Sequence, residues 1–171
     1  MLGIGDLVKD KKNCFIPKLL DIFVPENSNP STLNDIFLVM EREETDLNSF
    51  MRGGGNLGIT KMHVKTILYN MLCAVNFLHS ANIIHRDFKP GNILINRWCQ
   101  VKICDFGLAR TIPDNQDKRK RSMSSHVGSR WFRPPEIILV QKQYGKGADM
   151  WAIGCVLYEL MAFGMQQETG A

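Results

Sequence analysis

The sequence predicts an α+β fold in which a few short strands lead into a mainly helical C-terminal lobe. Three observations carry that prediction. The runs KLLDIFV and DIFLVME are β-rich and flank a stretch rich in Pro, Asn and Ser. Residues from Thr60 to His79 repeat apolar side chains at helical spacing. The run from Met150 to Phe163 is apolar on almost every face, yet it is short for a bilayer and carries Glu159, so it reads as a core helix and not a membrane span.

Taken in order, the opening MLGIGDLVKDKKNCF contains two glycines without the GxGxxG spacing of a phosphate-cradling loop. KLLDIFV and DIFLVME then suggest a two-stranded antiparallel element, and RGGGNLG is a flexible break. In the following helix Val64, Ile67, Leu68, Met71, Leu72, Val75 and Leu78 form one apolar stripe, with Thr60 placed to cap its start. Two β-type pieces, ILIN and VKIC, are joined by the short link RWCQ. Residues 111–126 are polar and include KRKRS, which reads as a surface loop with Ser122, Ser124 and Ser125 open to modification. The basic run is either a solvated loop or a nuclear-import or docking patch. After RPPE a helix begins near Ala148, and its apolar faces place it at the centre of a larger helical body.

Composition narrows the function classes. A chain of 171 residues with 44% hydrophobic and 22% charged residues fits one globular domain. A net charge of +4 does not call for a specific nucleic-acid partner. The five cysteines are odd in number and not closely paired, which argues against a disulfide framework and fits a reducing compartment, cytoplasmic and/or nuclear. Neither CxxC nor HExxH occurs, no segment reads as a signal peptide, and no membrane partner is expected.

The chemistry concentrates in IIHRDFKPGNILI and KICDFG. Asp87 and Asp105 each lie beside an apolar β run, and Asn92 follows Asp87 by five residues. Two carboxylates and an amide oxygen suit magnesium, a hard ion that leaves coordination positions for phosphates. Lys89 can supply positive charge to a transferring phosphoryl group, and Gly107 lets the chain turn after Asp105 and Phe106. Read singly, Arg86 and Asp87 could form a surface ion pair and Asp105 could cap a turn; the combined spacing favours a site. His85 follows Ile83 and Ile84, and reads as an inward-packed structural histidine.

In this order, HRDFKPGNILIN, DFGLAR, SRWFRPPEIIL and DMWAIGCVLYEL resemble the eukaryotic protein kinase family. LLDIF, VMEREETDL and RWFRPPEIIL further resemble its mitogen-activated and cyclin-dependent branch, nearest to the first through ETDL, so the chain is similar to a Ser/Thr-type catalytic domain over residues 13–161, with 162–171 an unassigned tail. The resemblance implies a protein kinase-like fold with hinge strands, truncated at both ends, and transfer of the ATP γ-phosphoryl to Ser or Thr. Asp87 would orient the substrate hydroxyl or accept its proton, Lys89 would contact the γ-phosphate, and Ser129 would bridge the two. Asn92 and Asp105 would hold Mg2+. Met40 would be the gatekeeper; Glu41 and Glu43 would contact adenine through their backbones, Asp46 the ribose, and Leu94 would lie beneath the base. Arg86 would join the loop to a phosphorylated activation segment, with Ser124 as a phosphosite. His85 and Phe106 would belong to a hydrophobic stack, and Asp149 would anchor the loop backbone. Protein substrates and an upstream activating kinase are implied, and residues Arg130 to Arg133 imply proline direction.

Several positions depart from the family pattern. Ser124, Ser125 and His126 stand where the branch carries its Thr-x-Tyr triplet, Phe88 replaces a usual leucine, and Gly91 a usual serine. RPPE stands for RAPE and retains Glu136, whose usual arginine partner has no counterpart in this sequence. The glycine-rich loop, the VAIK lysine and its glutamate are also without counterparts, so the 171 residues read as a kinase that is inactive by itself, or as a non-catalytic binding or scaffold fragment.

Overall fold

The computed structural model describes residues 15–25, 35–53, 59–112, 130–139 and 145–169. Strands β1 (Leu19–Phe23) and β2 (Phe37–Met40) pair antiparallel, with Ile22 opposite Leu38 and Phe23 opposite Phe37. This is the expected two-stranded element, but every residue in it is exposed. Apolar pairs alternate to opposite faces of the ribbon, so it has no polar side to turn to water.

The chain then enters β3 (Thr45–Asp46) and helix α1 (Leu47–Arg52), which Asp46 caps by accepting the Ser49 N–H at 2.9 Å. Helix α2 (Lys61–Ser80) starts at a capping box in which Thr60 and His63 exchange side-chain and backbone bonds. It buries Ile67, Met71, Ala74, Val75 and Leu78. Of the predicted stripe, Leu72 alone is classed as exposed, and Ala74 takes a buried position. Leu72 follows Met71 by one residue, about 100° round the helix, which turns it off the buried face, whereas Ala74, three residues after Met71, stays on it.

Strand β4 (Ile83–Ile84) pairs with β7 (Arg110–Thr111), which brackets the polar segments between them. Strands β5 (Ile93–Ile95) and β6 (Val101–Ile103) form a hairpin, with β3 added at the β5 edge. Helix α3 (Pro135–Ile138) is a single turn begun by proline, and α4 (Gly147–Thr169) packs on α2. Their core joins Met71 and Leu78 to Ile93, Ile103, Ile153, Val156 and Leu160.

Helix α4 corrects the tail expected over residues 162–171, because it stays helical to Thr169. Phe163 meets Phe50 of α1 with ring centroids 6.2 Å apart, so the extension gains tertiary packing. Its length and hydropathy now match a membrane span by those two criteria. One face carries core chemistry: Asp149 is buried and hydrogen-bonded, and Ala152, Ile153, Val156 and Leu160 face the protein interior, while Trp151, Tyr158 and Met165 are exposed.

Candidate active site

The segment 85–92 leaves β4, where two buried isoleucines fix the backbone, and returns to β5 through a 3₁₀ turn at Pro90–Asn92. Its start is held from below by Asp149. One carboxylate oxygen accepts the Arg86 N–H at 2.8 Å; the other accepts the His85 N–H at 3.0 Å and meets His79 Nε2 at 2.8 Å. These bonds satisfy backbone donors that β4 leaves unpaired as the chain turns, with Arg86 at φ 70°.

His85 is fully buried between Phe88 and Phe106, with ring centroids 4.8 and 5.1 Å away. Nε2 donates to the Cys104 carbonyl at 3.0 Å, and Nδ1 accepts the Asp87 N–H at 3.3 Å, which assigns a neutral tautomer. Burial pushes the imidazole below its ordinary value, in agreement with that tautomer.

Asp87 and Asn92 are buried and adjacent. Asp87 Oδ2 accepts from Lys89 Nζ at 2.8 Å and from Asn92 Nδ2 at 3.0 Å. The same amide nitrogen donates to the Asp87 carbonyl at 3.0 Å, which turns the Asn92 oxygen away from Asp87. The Asn92 carbonyl accepts the Cys104 N–H at 3.1 Å, so the loop is stitched to the end of β6, next to Asp105. Burial pushes the Cys104 thiol up to about 11, away from the thiolate form that reacts.

Asp105 is exposed and occupies the left-handed region at φ 62°, with its side chain accepting the Gly107 N–H at 3.3 Å. The strained residue at this turn is therefore Asp105; at Gly107 an added Cβ would approach the Asp105 carboxylate at 3.2 Å. The turn-cap geometry of Asp105 is present, whereas Arg86 and Asp87 are only 7% and 6% exposed and so do not form a surface pair. Arg86 Nε donates to the Leu108 carbonyl at 2.6 Å.

Among the described residues no group of three His, Cys, Asp or Glu side chains gathers as a metal centre. The Asn92 amide oxygen and the Asp105 carboxylate are hard donors and fit a dication that takes its remaining ligands from phosphates and water. Leu94 is half-buried on β5, opposite Asp46 and Lys102. Met40 is exposed at the end of β2. The Glu41 and Glu43 carboxylates both reach Lys102, and the Lys102 hydrogen bond holds the Glu41 carboxyl below its ordinary value. The Asp46 side chain is engaged in capping α1 through Ser49. Glu136 lies in the first turn of α3, apart from the Asp87 cluster in sequence. Ser124 and Ser129 lie outside the described residues.

Sequence reasoning missed His79 and Lys102. The His79–Asp149 contact joins residues 70 apart, a pairing with no local signature. Alternation along β6 signals only that Lys102 points away from Val101 and Ile103, without naming its partners.

A protein kinase domain family model matches residues 7–168, beyond both ends of the span expected from motifs. The chain is 44% identical over 133 residues to the mitogen-activated protein kinase spm1 of Schizosaccharomyces pombe, covering 78% of this chain and 31% of that one. It is 42% identical over 143 residues to the mitogen-activated protein kinase MKC1 of Candida albicans, covering 84% and 28%. Mitogen-activated protein kinase 15 of Xenopus laevis is 44% identical over 147 residues, covering 85% and 24%. The chain thus spans about a quarter to a third of the length of these relatives. A solved structure of the yeast RNA Pol II CTD kinase CTDK-1 complex superposes with a TM-score of 0.76 at 29% identity, covering 93% of this chain and 48% of that one. With the α+β architecture and a family match over nearly its whole length, this chain belongs to the protein kinase domain family and is similar to its mitogen-activated, Ser/Thr-type members.

Proposed function

We propose that the chain carries the phosphoryl-transfer loop of a mitogen-activated-kinase-like protein Ser/Thr kinase that uses ATP and Mg2+. The observation that supports this most is the buried Asp87 carboxylate, oriented by Lys89 at 2.8 Å and Asn92 at 3.0 Å on a backbone pinned by Asp149. A carboxylate so placed orients a substrate hydroxyl and takes up its proton, while Lys89 offers charge to the transferring group. Magnesium, when bound, neutralises charge on the phosphate oxygens, and Asn92 and Asp105 are the residues that would hold it. The bonds within the loop keep these groups in place before substrate arrives, so little reorganisation remains.

In the same reading the adenine lies by Met40, Glu41, Glu43 and Leu94. With both glutamate side chains turned to Lys102, the contribution of 41–43 comes from backbone groups. Asp46 serves the ribose and Ser129 supports the loop. Arg86 and Ser124 link the site to activation by an upstream kinase. Protein substrates, proline direction and a cytoplasmic or nuclear setting complete the proposal.

Grafting residues 59–112 into the spm1 kinase in place of its matching segment tests the reading. The chimera is expected to phosphorylate protein in Mg-ATP, and Asp87→Asn is expected to lower kcat about 10²-fold or more. A folded chimera that binds nucleotide but does not turn over would sink the catalytic reading and favour a kinase-derived binding fragment. Assay of residues 1–171 alone, with Asp105→Ala as control, measures how much activity the chain has by itself.

A further inference from the structure

The β1–β2 ribbon packs chiefly against itself and buries neither face. Its orientation must therefore be set at its root, where it meets the rest of the molecule. There Lys102, on β6 between the buried Val101 and Ile103, reaches Glu41 at 2.8 Å and Glu43 at 2.6 Å. Glu41 is tied to the other strand as well: its N–H donates to the Lys18 carbonyl at 2.8 Å, and its carboxylate accepts the Lys18 N–H at 3.2 Å. The next residue along β6, Ile103, donates its N–H to the Phe15 carbonyl at 2.7 Å.

We propose that Lys102 is a positioning residue whose ammonium group locks the ribbon root and segment 41–44 onto the β5–β6 hairpin, and so sets the edge against which a nucleotide base would lie. The nucleotide clause rests on the kinase reading above; the lock rests on the geometry alone. The side chains are 17% exposed for Lys102, 13% for Glu43 and 32% for Glu41, so solvent screens the cluster less than an open surface pair. A single cation holds two anions together here. Without it, two partly buried carboxylates face each other and repel, while the Lys18 backbone bonds and the Lys18 charge act on Glu41. The held glutamate side chains also leave the backbone of 41–43 as the surface offered to a ligand.

The test is hydrogen exchange on the 171-residue chain, comparing the natural sequence with Lys102→Met, Lys102→Arg and the double variant Glu41→Gln/Glu43→Gln. Lys102→Met is expected to raise exchange over residues 37–44 about tenfold while α2 is unchanged. The double glutamine variant is expected to show the same localised rise. Lys102→Arg is expected to stay near the natural rate, because a guanidinium can reach both carboxylates. Salt at about 1 M should loosen the natural chain and leave the double variant unmoved. Unchanged exchange at 37–44 in Lys102→Met, an equal rise in α2, or failure of arginine to restore protection would each overturn the lock. Titration with Mg-ADP separates the two readings. If the natural chain binds no nucleotide while the exchange pattern holds, the nucleotide clause falls and the lock stands. Binding that is equally tight in Lys102→Met would overturn the link between lock and nucleotide edge; about tenfold weaker binding, restored by arginine, is the expected result.

Discussion

His85 shows how one side chain can be polar in sequence and structural in place. Its ring bridges Cys104 and the Asp87 N–H while two aromatic rings exclude water, and burial depresses its pKa. Below about pH 6.5 the unfolded chain takes up a proton at this position that the folded chain resists. The contribution of His85 to stability is therefore fully present above about pH 6.5 and is lost as pH falls from there through the depressed folded value. Denaturant unfolding at a series of pH values should show stability falling on acidification. The slope should flatten in His85→Gln, and an unaltered slope in that variant would refute the assignment. The inward packing of His85 was legible from the isoleucines before it. The strained turn was not: glycine at 107 drew attention, yet Asp105 holds the positive φ, because its carboxylate accepts the Gly107 N–H and compensates for it.

Elements were read best where local chemistry sufficed. Thr60 precedes a long apolar period, and it caps α2 by accepting the His63 N–H at 3.4 Å while His63 Nδ1 accepts the Thr60 N–H at 3.1 Å. Because the first of these bonds is long, Thr60→Ala is expected to cost about 0.5–1 kcal/mol, the lower part of the range for such caps. Thermal unfolding monitored by helical circular dichroism would check this, and a loss above about 2 kcal/mol would mean the threonine does more than cap. The β5–β6 hairpin was equally legible, since the β-type pieces ILIN and VKIC flank the short link RWCQ. The end of α4 was not. AFGMQQET looked polar enough to be a tail, but no proline interrupts it, and the contact of Phe163 with Phe50 rewards continuation.

At the scale of the molecule, the apolar surface is uneven. Ile22, Phe23, Phe37 and Leu38 are each more than half exposed on the ribbon, and an open groove of about 340 Å³ between α2 and α4 is lined by Val64, Leu68, Leu157 and Met161. Surfaces of this kind promote association. Sedimentation velocity on residues 1–171 should show concentration-dependent self-association. Ile22→Lys/Leu38→Lys should reduce it, because this cross-strand pair shares one face of the ribbon. An unchanged sedimentation profile would place the association elsewhere. The sequence by itself determined the family, the order of the four longer β runs and two long helices, and the residue types of segment 85–92, because turn chemistry, periodicity and motif spacing are local properties of the chain; the short elements between them went unread. Only the tertiary structure decided that His79 meets Asp149 beneath that segment, that Lys102 ties both glutamates, and that α4 runs on past Phe163. Each of these depends on groups far apart in the chain meeting at a few ångströms, and no local pattern encodes such a meeting.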